Sequence, residues 1–294
     1  MEARDEDRLQ PFLIEDCGVR GVLVRLGPSW REIRSHARSG PALRRLLGEA
    51  VAASALLTAH IKRGTRTSLQ LQSAGPLATL FADCSGRGEL RGLVRARGPL
   101  PDPIALDHLG PEALLAVCLE QPDGQRYQGL VPLEAPTLEA ALEGYFRRSE
   151  QIATRIRLAA DDTRAAGIMI QLLPSAPDDY EPAPAAFTLL AAPLGHLGPP
   201  SLLGDPPERL LPALFPERPL RLAAGRELRF GCGCSREKAA AMLRLLGAEE
   251  TRAALADRAE LEVSCEFCDR SYRFDAEALA AIHRGAGEAP LTRH

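Results

Sequence analysis

Cys232 and Cys234 enclose a single glycine, and 30 residues further on Cys265 and Cys268 enclose Glu266 and Phe267. No other feature constrains the chain as much. Two tight cysteine pairs bring four soft thiolates to one point, where they close tetrahedrally on a single ion, and zinc is the expected ion. Cys232, Cys234, Cys265 and Cys268 are therefore the expected ligands. Four protein ligands leave no open coordination position, which disfavours activation of water or polarisation of a substrate by the metal. The competing readings are buried thiols without a metal, and a zinc knuckle that only folds the tail.

The compartment follows from the rest of the chain. The first ten residues, MEARDEDRLQ, lack the basic start and apolar stretch of a secretory signal. No stretch reaches a membrane-spanning run of about 18 apolar residues, since even Val51 to Ile61 carries Ser54, Thr58 and His60. A cytoplasmic protein with no membrane partner is predicted, and there the seven cysteines are reduced at rest. Each close-set pair can also join its own two sulfurs without moving the remainder of the fold. A ring closed across the single residue between Cys232 and Cys234 is strained, and strained disulfides are labile. Metal binding supplies about 10 kcal/mol or more to a small zinc domain, so oxidation that removes the metal would unfold the tail.

At roughly 100 to 200 residues per domain, 294 residues imply about two domains. Phe12 to Leu26, broken by Gly18 and Gly21, predicts two short strands and a turn. A helix is expected from Pro41, with Leu43, Leu46, Leu47, Ala50, Val51, Ser54, Leu57 and Ile61 at helical spacing up to Gly64. Thr67 to Ala96 reads as an antiparallel meander, Arg126 to Val131 as a strand, Thr137 to Gln151 as a helix, and Thr154 to Ala160 and Gly167 to Leu173 as strands. Strand and helix mix without βαβ regularity, so residues 1–174 form an α+β N-terminal domain with mixed or antiparallel sheets.

Twelve of the 24 prolines then fall between Pro174 and Pro219. No continuous strand or long helix accommodates that density. Leucines and phenylalanines are embedded among the prolines, so residues 175–228 read as a Pro/Leu-rich linker of short helical turns docked on the first domain. Residues 229–294 form a small C-terminal four-cysteine zinc-binding domain, of a size that needs a metal or disulfide to hold it.

Around the cysteines, Arg229, Arg236 and Lys238 are candidates for favouring thiolate over thiol, or else solvated cations on a helix that Ser235 caps. Phe267, Tyr272 and Phe274 are expected to pack the small core, Cys17, Cys84 and Cys118 to be core thiols, and His60 and His283 to be ordinary helix residues. Gly231-Cys-Gly233 and Gly86-Arg-Gly88 lack the third glycine of a dinucleotide loop, and neither a Walker motif nor a G-x-S-x-G elbow occurs. No catalytic residues are assigned, and the chain is not expected to be an enzyme.

The run Phe230 to Lys238, with Cys265 to Cys268 and Tyr272 to Phe274, resembles the zinc-binding tail of the heat-shock protein 33 family. Gln70 to Pro76, Arg126 to Val131, Tyr145 to Gln151 and Ala165 to Pro174 resemble that family's N-terminal signatures in the same order. The resemblance implies a stress-response, ATP-independent holdase chaperone, inactive while reduced and zinc-bound. It implies that oxidation pairs Cys232 with Cys234 and Cys265 with Cys268, releases zinc and unfolds tail and linker. Client binding and homodimerisation would follow, with unfolding proteins as partners. The chain departs from the family in its linker, where proline and leucine replace charged residues, and harsher stress is therefore expected to loosen it.

Two other classes compete. A zinc-ribbon RNA- or ribosome-associated protein is disfavoured by a net charge of -3, from 36 basic and 39 acidic residues, and no nucleic-acid partner is expected. A thiol oxidoreductase using Cys265 and Cys268 would turn over a disulfide substrate, whereas a holdase acts stoichiometrically.

Overall fold

The computed structural model describes residues 7–15, 17–59, 61, 64–110, 112–173, 184–256 and 258–284. The chain divides into two compact units, Met1–Gly231 and Cys232–His294.

The larger unit begins with strands β1 (Arg8–Ile14) and β2 (Val19–Leu26), then helices α1 (Pro28–His36) and α2 (Pro41–Leu57). Strands β3 (Arg66–Gln72), β4 (Leu77–Ser85), β5 (Glu89–Ala96), β6 (Leu114–Glu120) and β7 (Arg126–Pro132) follow. Helix α3 (Leu138–Tyr145) leads to β8 (Thr154–Ala160) and β9 (Ala165–Leu172). After these come α4 (Pro184–His196), α5 (Pro199–Gly204), α6 (Pro207–Leu214) and the short strands β10 (Leu220–Leu222), β11 (Arg226–Glu227) and β12 (Arg229–Phe230).

One sheet has the order β10-β1-β2-β9-β8, with β11 also pairing β1, and the other has the order β12-β5-β4-β3-β6-β7. All pairs are antiparallel except β12 with β5, so the second sheet is mixed. The α+β expectation holds, including the meander β3-β4-β5. Helix α2 is buried at every position from Ala50 to Leu56 because it lies between the sheets, packing on β4 and β5 of one and β8 and β9 of the other. Burying side chains such as Leu47, Val51 and Leu56 stabilises the fold by roughly 1.5–3 kcal/mol each. Close approach needs a small residue at Gly48, where a Cβ would lie 2.5 Å from the Ala160 Cβ and 3.0 Å from the Trp30 ring.

The outer face of the first sheet carries a second core. Phe12, Ile14, Leu23, Ile168 and Ile170 pack there against Phe187, Leu194, Leu202, Leu210 and Phe215 from α4 to α6. Arginines from the sheet close the ends of these helices: Arg157 donates to the Leu197 carbonyl at 3.2 Å, and Arg25 and Arg164 to that of Leu203 at 3.3 and 3.2 Å. Prolines punctuate the segment as helix starters, at the first turns of α5 and α6.

Several elements differ from expectation. Helix α2 ends at Leu57 rather than near Ile61, because Thr58 turns its hydroxyl back onto the Ala55 carbonyl at 2.7 Å. His60 and Pro174 lie outside the described residues. The expected helix Thr137 to Gln151 begins as foreseen, with Thr137 accepting from the Ala140 amide, but α3 stops at Tyr145. A π turn over Phe146–Glu150 and a left-handed Gln151 at φ 56° finish it. The prolines also permit a longer helix than expected: α4 has 13 residues with Pro193 inside. Pro193 has no N–H to donate back to the Leu189 carbonyl, so α4 carries it at the cost of one ladder bond. Helix α1 and strand β6 carry no expectation from sequence.

Candidate metal centre

The unit Cys232–His294 contains α7 (Arg236–Leu246), α8 (Ala248–Leu255), the hairpin strands β13 (Leu261–Ser264) and β14 (Ser271–Phe274), and α9 (Ala276–Arg284). Its buried core among the described residues is Ala239, Leu243, Phe274 and Leu279. Arg236 covers the Phe274 ring at 4.3 Å and donates to the Arg273 carbonyl at 2.7 Å. His283 is a structural residue, its Nε2 2.9 Å from the Thr251 hydroxyl.

Local chain geometry presents each pair of sulfurs. Cys265 and Cys268 lie in the loop of the β13-β14 hairpin, where the Cys265 amide donates to the Arg270 carbonyl at 2.9 Å. Cys268 and Asp269 donate back to the Cys265 carbonyl at 3.4 and 2.8 Å, and Asp269 takes a left-handed φ of 52°, which Asp tolerates. Cys232 and Cys234 directly precede α7, whose N-cap is Ser235 as expected, accepting from the Lys238 amide at 3.3 Å. The Lys238 ammonium donates to the Gly233 carbonyl between those cysteines at 2.5 Å.

All four sulfurs lie within 4.8 Å of one another, with Cys232 and Cys265 at 3.5 Å and Cys234 and Cys268 at 3.4 Å. A tetrahedral zinc with Zn–S bonds of about 2.3 Å needs sulfurs about 3.8 Å apart, so this donor set can bind a metal ion of that kind. Burial opposes thiolate formation and prevails at Cys232 and Cys268, with neighbouring sulfurs reinforcing it, so both thiols are pushed up, Cys268 to about 12. At Cys234 burial also opposes ionisation, but the Tyr272 hydroxyl and the other sulfurs outweigh it and bring the thiol down to about 7.

Tyr272 was expected only to pack the core. It is half-buried there, and its hydroxyl also donates to the Cys234 sulfur at 3.1 Å. The signal was its strand position four residues beyond Cys268, but a hairpin register is needed to read it. Of the candidate cations, Arg229 pairs with Glu89 at 2.8 Å, while Arg236 and Lys238 hold backbone carbonyls. Arg270 instead has its guanidinium pushed further toward the charged form, first by Tyr272 and then by the sulfurs of Cys234 and Cys268. Phe274 is core as expected, whereas Phe267 is only half-buried and outside that cluster.

The remaining cysteines split. Cys84 is fully buried in β4 beside Thr58, and burial pushes its thiol up to about 11. Cys17 in the β1-β2 turn is half-buried and packs against the second core, whereas Cys118 on β6 is half-buried outside either core, because the outer face of the sheet leaves one side open. Among the described residues no helix is long and apolar enough to cross a membrane.

The Hsp33 protein family matches residues 7–275 of this chain. A 33 kDa chaperonin from Pseudomonas fluorescens is 37% identical over 295 residues, covering 99% of this chain and 98% of that protein. A 33 kDa chaperonin from Shewanella oneidensis is 36% identical over 278 residues, covering 95% and 96%. The crystal structure of the 33 kDa chaperonin (heat shock protein 33 homolog) from Thermotoga maritima superimposes with a TM-score of 0.80 at 22% identity, covering 96% of this chain and all of that one, and so shares the fold. A match that begins in the first strand and passes through all four clustered cysteines leaves one assignment: this chain belongs to the Hsp33 family of chaperones.

Proposed function

We propose that the chain is a redox-controlled, ATP-independent holdase whose four clustered cysteines are its sensor. The observation that carries this reading is the convergence of Cys232, Cys234, Cys265 and Cys268 within 4.8 Å in a unit with only four buried apolar residues among those described. Zinc, when bound by these thiolates, supplies a cross-link between the segment before α7 and the β13-β14 hairpin. A two-electron oxidant such as hypochlorite or peroxide takes two electrons for each disulfide formed, and the two thiols lose their protons to solvent. Pairing Cys232 with Cys234 and Cys265 with Cys268 removes the donor set and leaves the two segments free of each other. Pairing across the segments would staple them together and keep the tail folded.

The tail joins the larger unit through β11 and β12, strands of two residues each. Disorder starting at Cys232 meets little resistance there before it reaches β10 and α6. Loosening of the segment 175–228 uncovers Phe12, Ile14, Leu23, Ile168 and Ile170 on the first sheet. An exposed apolar surface of that kind binds other proteins. In this reading residues 1–174 bind unfolding clients and mediate homodimerisation on oxidation, residues 175–228 cover them at rest, and residues 229–294 sense the oxidant. The protein works in the cytoplasm, where its thiols are reduced between episodes of stress.

The test is light scattering from a thermally unfolding client, with the chain added either reduced and zinc-loaded or oxidised and zinc-depleted. Suppression by the oxidised form alone, near equimolar amounts, is the expected result. Equal suppression by both forms would reduce the cysteines to a structural role, and suppression by neither would remove the holdase reading. Peptide mass mapping of the oxidised form should recover Cys232–Cys234 and Cys265–Cys268 links.

A further inference from the structure

Helix α3 packs against the edge strands of both sheets, β8 of the first and β7 of the second, and protects only one of them. In the β8-β9 pair the Asp161 amide bonds to the Arg164 carbonyl, which sets the parity so that Ile156 and Leu158 turn their backbone groups outward. Both outward amides are taken: Ile156 donates to Glu143 Oε1 at 2.8 Å and Leu158 to Glu139 Oε1 at 2.7 Å. Two carboxylates one helical turn apart seal that edge against a further strand.

Strand β7 has no such seal. Gln121 donates to the Gln125 carbonyl at 2.8 Å and Leu133 to that of Ala113 at 3.4 Å, so the odd-numbered residues between them bond inward to β6. Arg126, Gln128 and Leu130 therefore turn their N–H and C=O groups away from the sheet, and among the described residues none of these amides has a partner. The Tyr145 ring occupies the opposite face, where a Cβ at Gly129 would meet it at 2.4 Å, and leaves the edge itself clear. Beside the free donors Leu130 is 59% exposed and Leu114 of β6 is 40% exposed. The window is bounded by Arg126, paired with Glu120, and by Pro132, which has no N–H to offer.

We propose that β7 is a strand-addition site at which an extended, apolar-rich segment of an unfolding polypeptide pairs with Arg126, Gln128 and Leu130. The proposal rests on the chaperone reading and adds a second contact surface to the apolar face beneath the linker, one on the other sheet that is open in both redox states. A main-chain edge suits that role because backbone is common to every unfolded chain, and alternate apolar side chains of the segment meet Leu130 and Leu114. A second copy fits less well, since two-fold pairing about Gln128 sets the charged Arg126 opposite Leu130. The three outward residues offer at most six main-chain hydrogen bonds, each of modest net worth once the segment is ordered, which keeps the site compatible with release.

Residue-resolved hydrogen exchange on the full chain tests this, with reduced and carboxymethylated α-lactalbumin as a permanently unfolded probe and the chain both reduced and oxidised. The amides of Arg126, Gln128 and Leu130 should slow by roughly tenfold on probe binding, the equivalent of one to two net hydrogen bonds, while Tyr127, Gly129 and Val131 are already protected. Gln128→Pro removes the middle donor at a position where an edge strand tolerates proline, and should weaken probe binding by roughly tenfold. Leu130→Lys keeps every backbone group and should also weaken binding, which guards against a proline variant that does not fold. Unchanged exchange at all three amides in a complex protected elsewhere overturns the proposal. So does protection that grows with chain concentration in the absence of probe, because the occupant is then a second copy. Suppression of aggregation without protection at β7 removes this site alone, and protection at β7 without suppression by the oxidised chain removes the redox holdase and leaves the site.

Discussion

The two units of this chain solve the same stability problem with different chemistry. Met1–Gly231 buries two apolar clusters, one around α2 between the sheets and one beneath the linker helices. Cys232–His294 buries Ala239, Leu243, Phe274 and Leu279 and brings four sulfurs together. Apolar burial has no off switch at constant temperature, whereas a thiolate donor set disappears when its electrons are taken. Under the proposed function, the difference teaches that a fold can serve as a sensor where its core is too small to stand without the chemistry it senses.

Removing the metal is the sharpest way to break that comparison. Chelation should cost the small unit about 10 kcal/mol, abolish its Tyr272 and Phe274 near-ultraviolet signals and open it and the adjoining linker to protease, with the core around α2 still folded. A tail that stays folded after chelation would show that its core suffices.

The converse change lies in the larger unit. Trp30 is fully buried with its indole N–H on the Asp161 carbonyl at 2.7 Å, so Trp30→Ala should cost about 3–5 kcal/mol in the unfolding of that unit. Zinc affinity measured by competition with a chromophoric chelator should not change. A parallel loss would mean that the two units share one folding transition.

Acidity should separate the units further. Burial, then the nearby Glu139, raises the Glu49 carboxyl to about 7 from an ordinary 4.5, against the opposing Arg45 and Arg157. The folded state therefore keeps a proton that the unfolded state has released. This contribution is fully present below the unfolded value and is lost as pH rises through the folded one. Stability of the larger unit should fall by roughly 2–3 kcal/mol between about pH 4.5 and 7, and Glu49→Gln should flatten that slope in urea titrations.

The smallest expected effect is a cap. Ser235→Ala removes the acceptor for the Lys238 amide at the start of α7 and should cost the tail about 1 kcal/mol, read as roughly fivefold weaker zinc binding. No change would show that the sulfurs alone hold that segment in place.

Much of this was legible in the sequence. The pairs at Cys232 and Cys265, the helical run from Pro41, the meander from Thr67 and the Ser235 cap are patterns carried by neighbouring residues, and neighbours share geometry wherever the chain goes. Helix α1 was not legible, because its N-terminus is capped from a distance: both Asp7 carboxylate oxygens accept from the Gly27 and Ser29 amides, at 2.7 and 2.8 Å. Strand β6 was hidden for a related reason, since its continuous apolar residues do not alternate and only pairing with β3 and β7 settles them as strand.

The sequence by itself determined the donor set, the small size of the tail and the apolar character of the linker, because composition and spacing are properties of the chain before it folds. Only the tertiary structure decided that the Tyr272 hydroxyl reaches the Cys234 sulfur and that carboxylates close β8 while β7 stays open. Those outcomes depend on which distant groups meet in space, and packing alone brings them together.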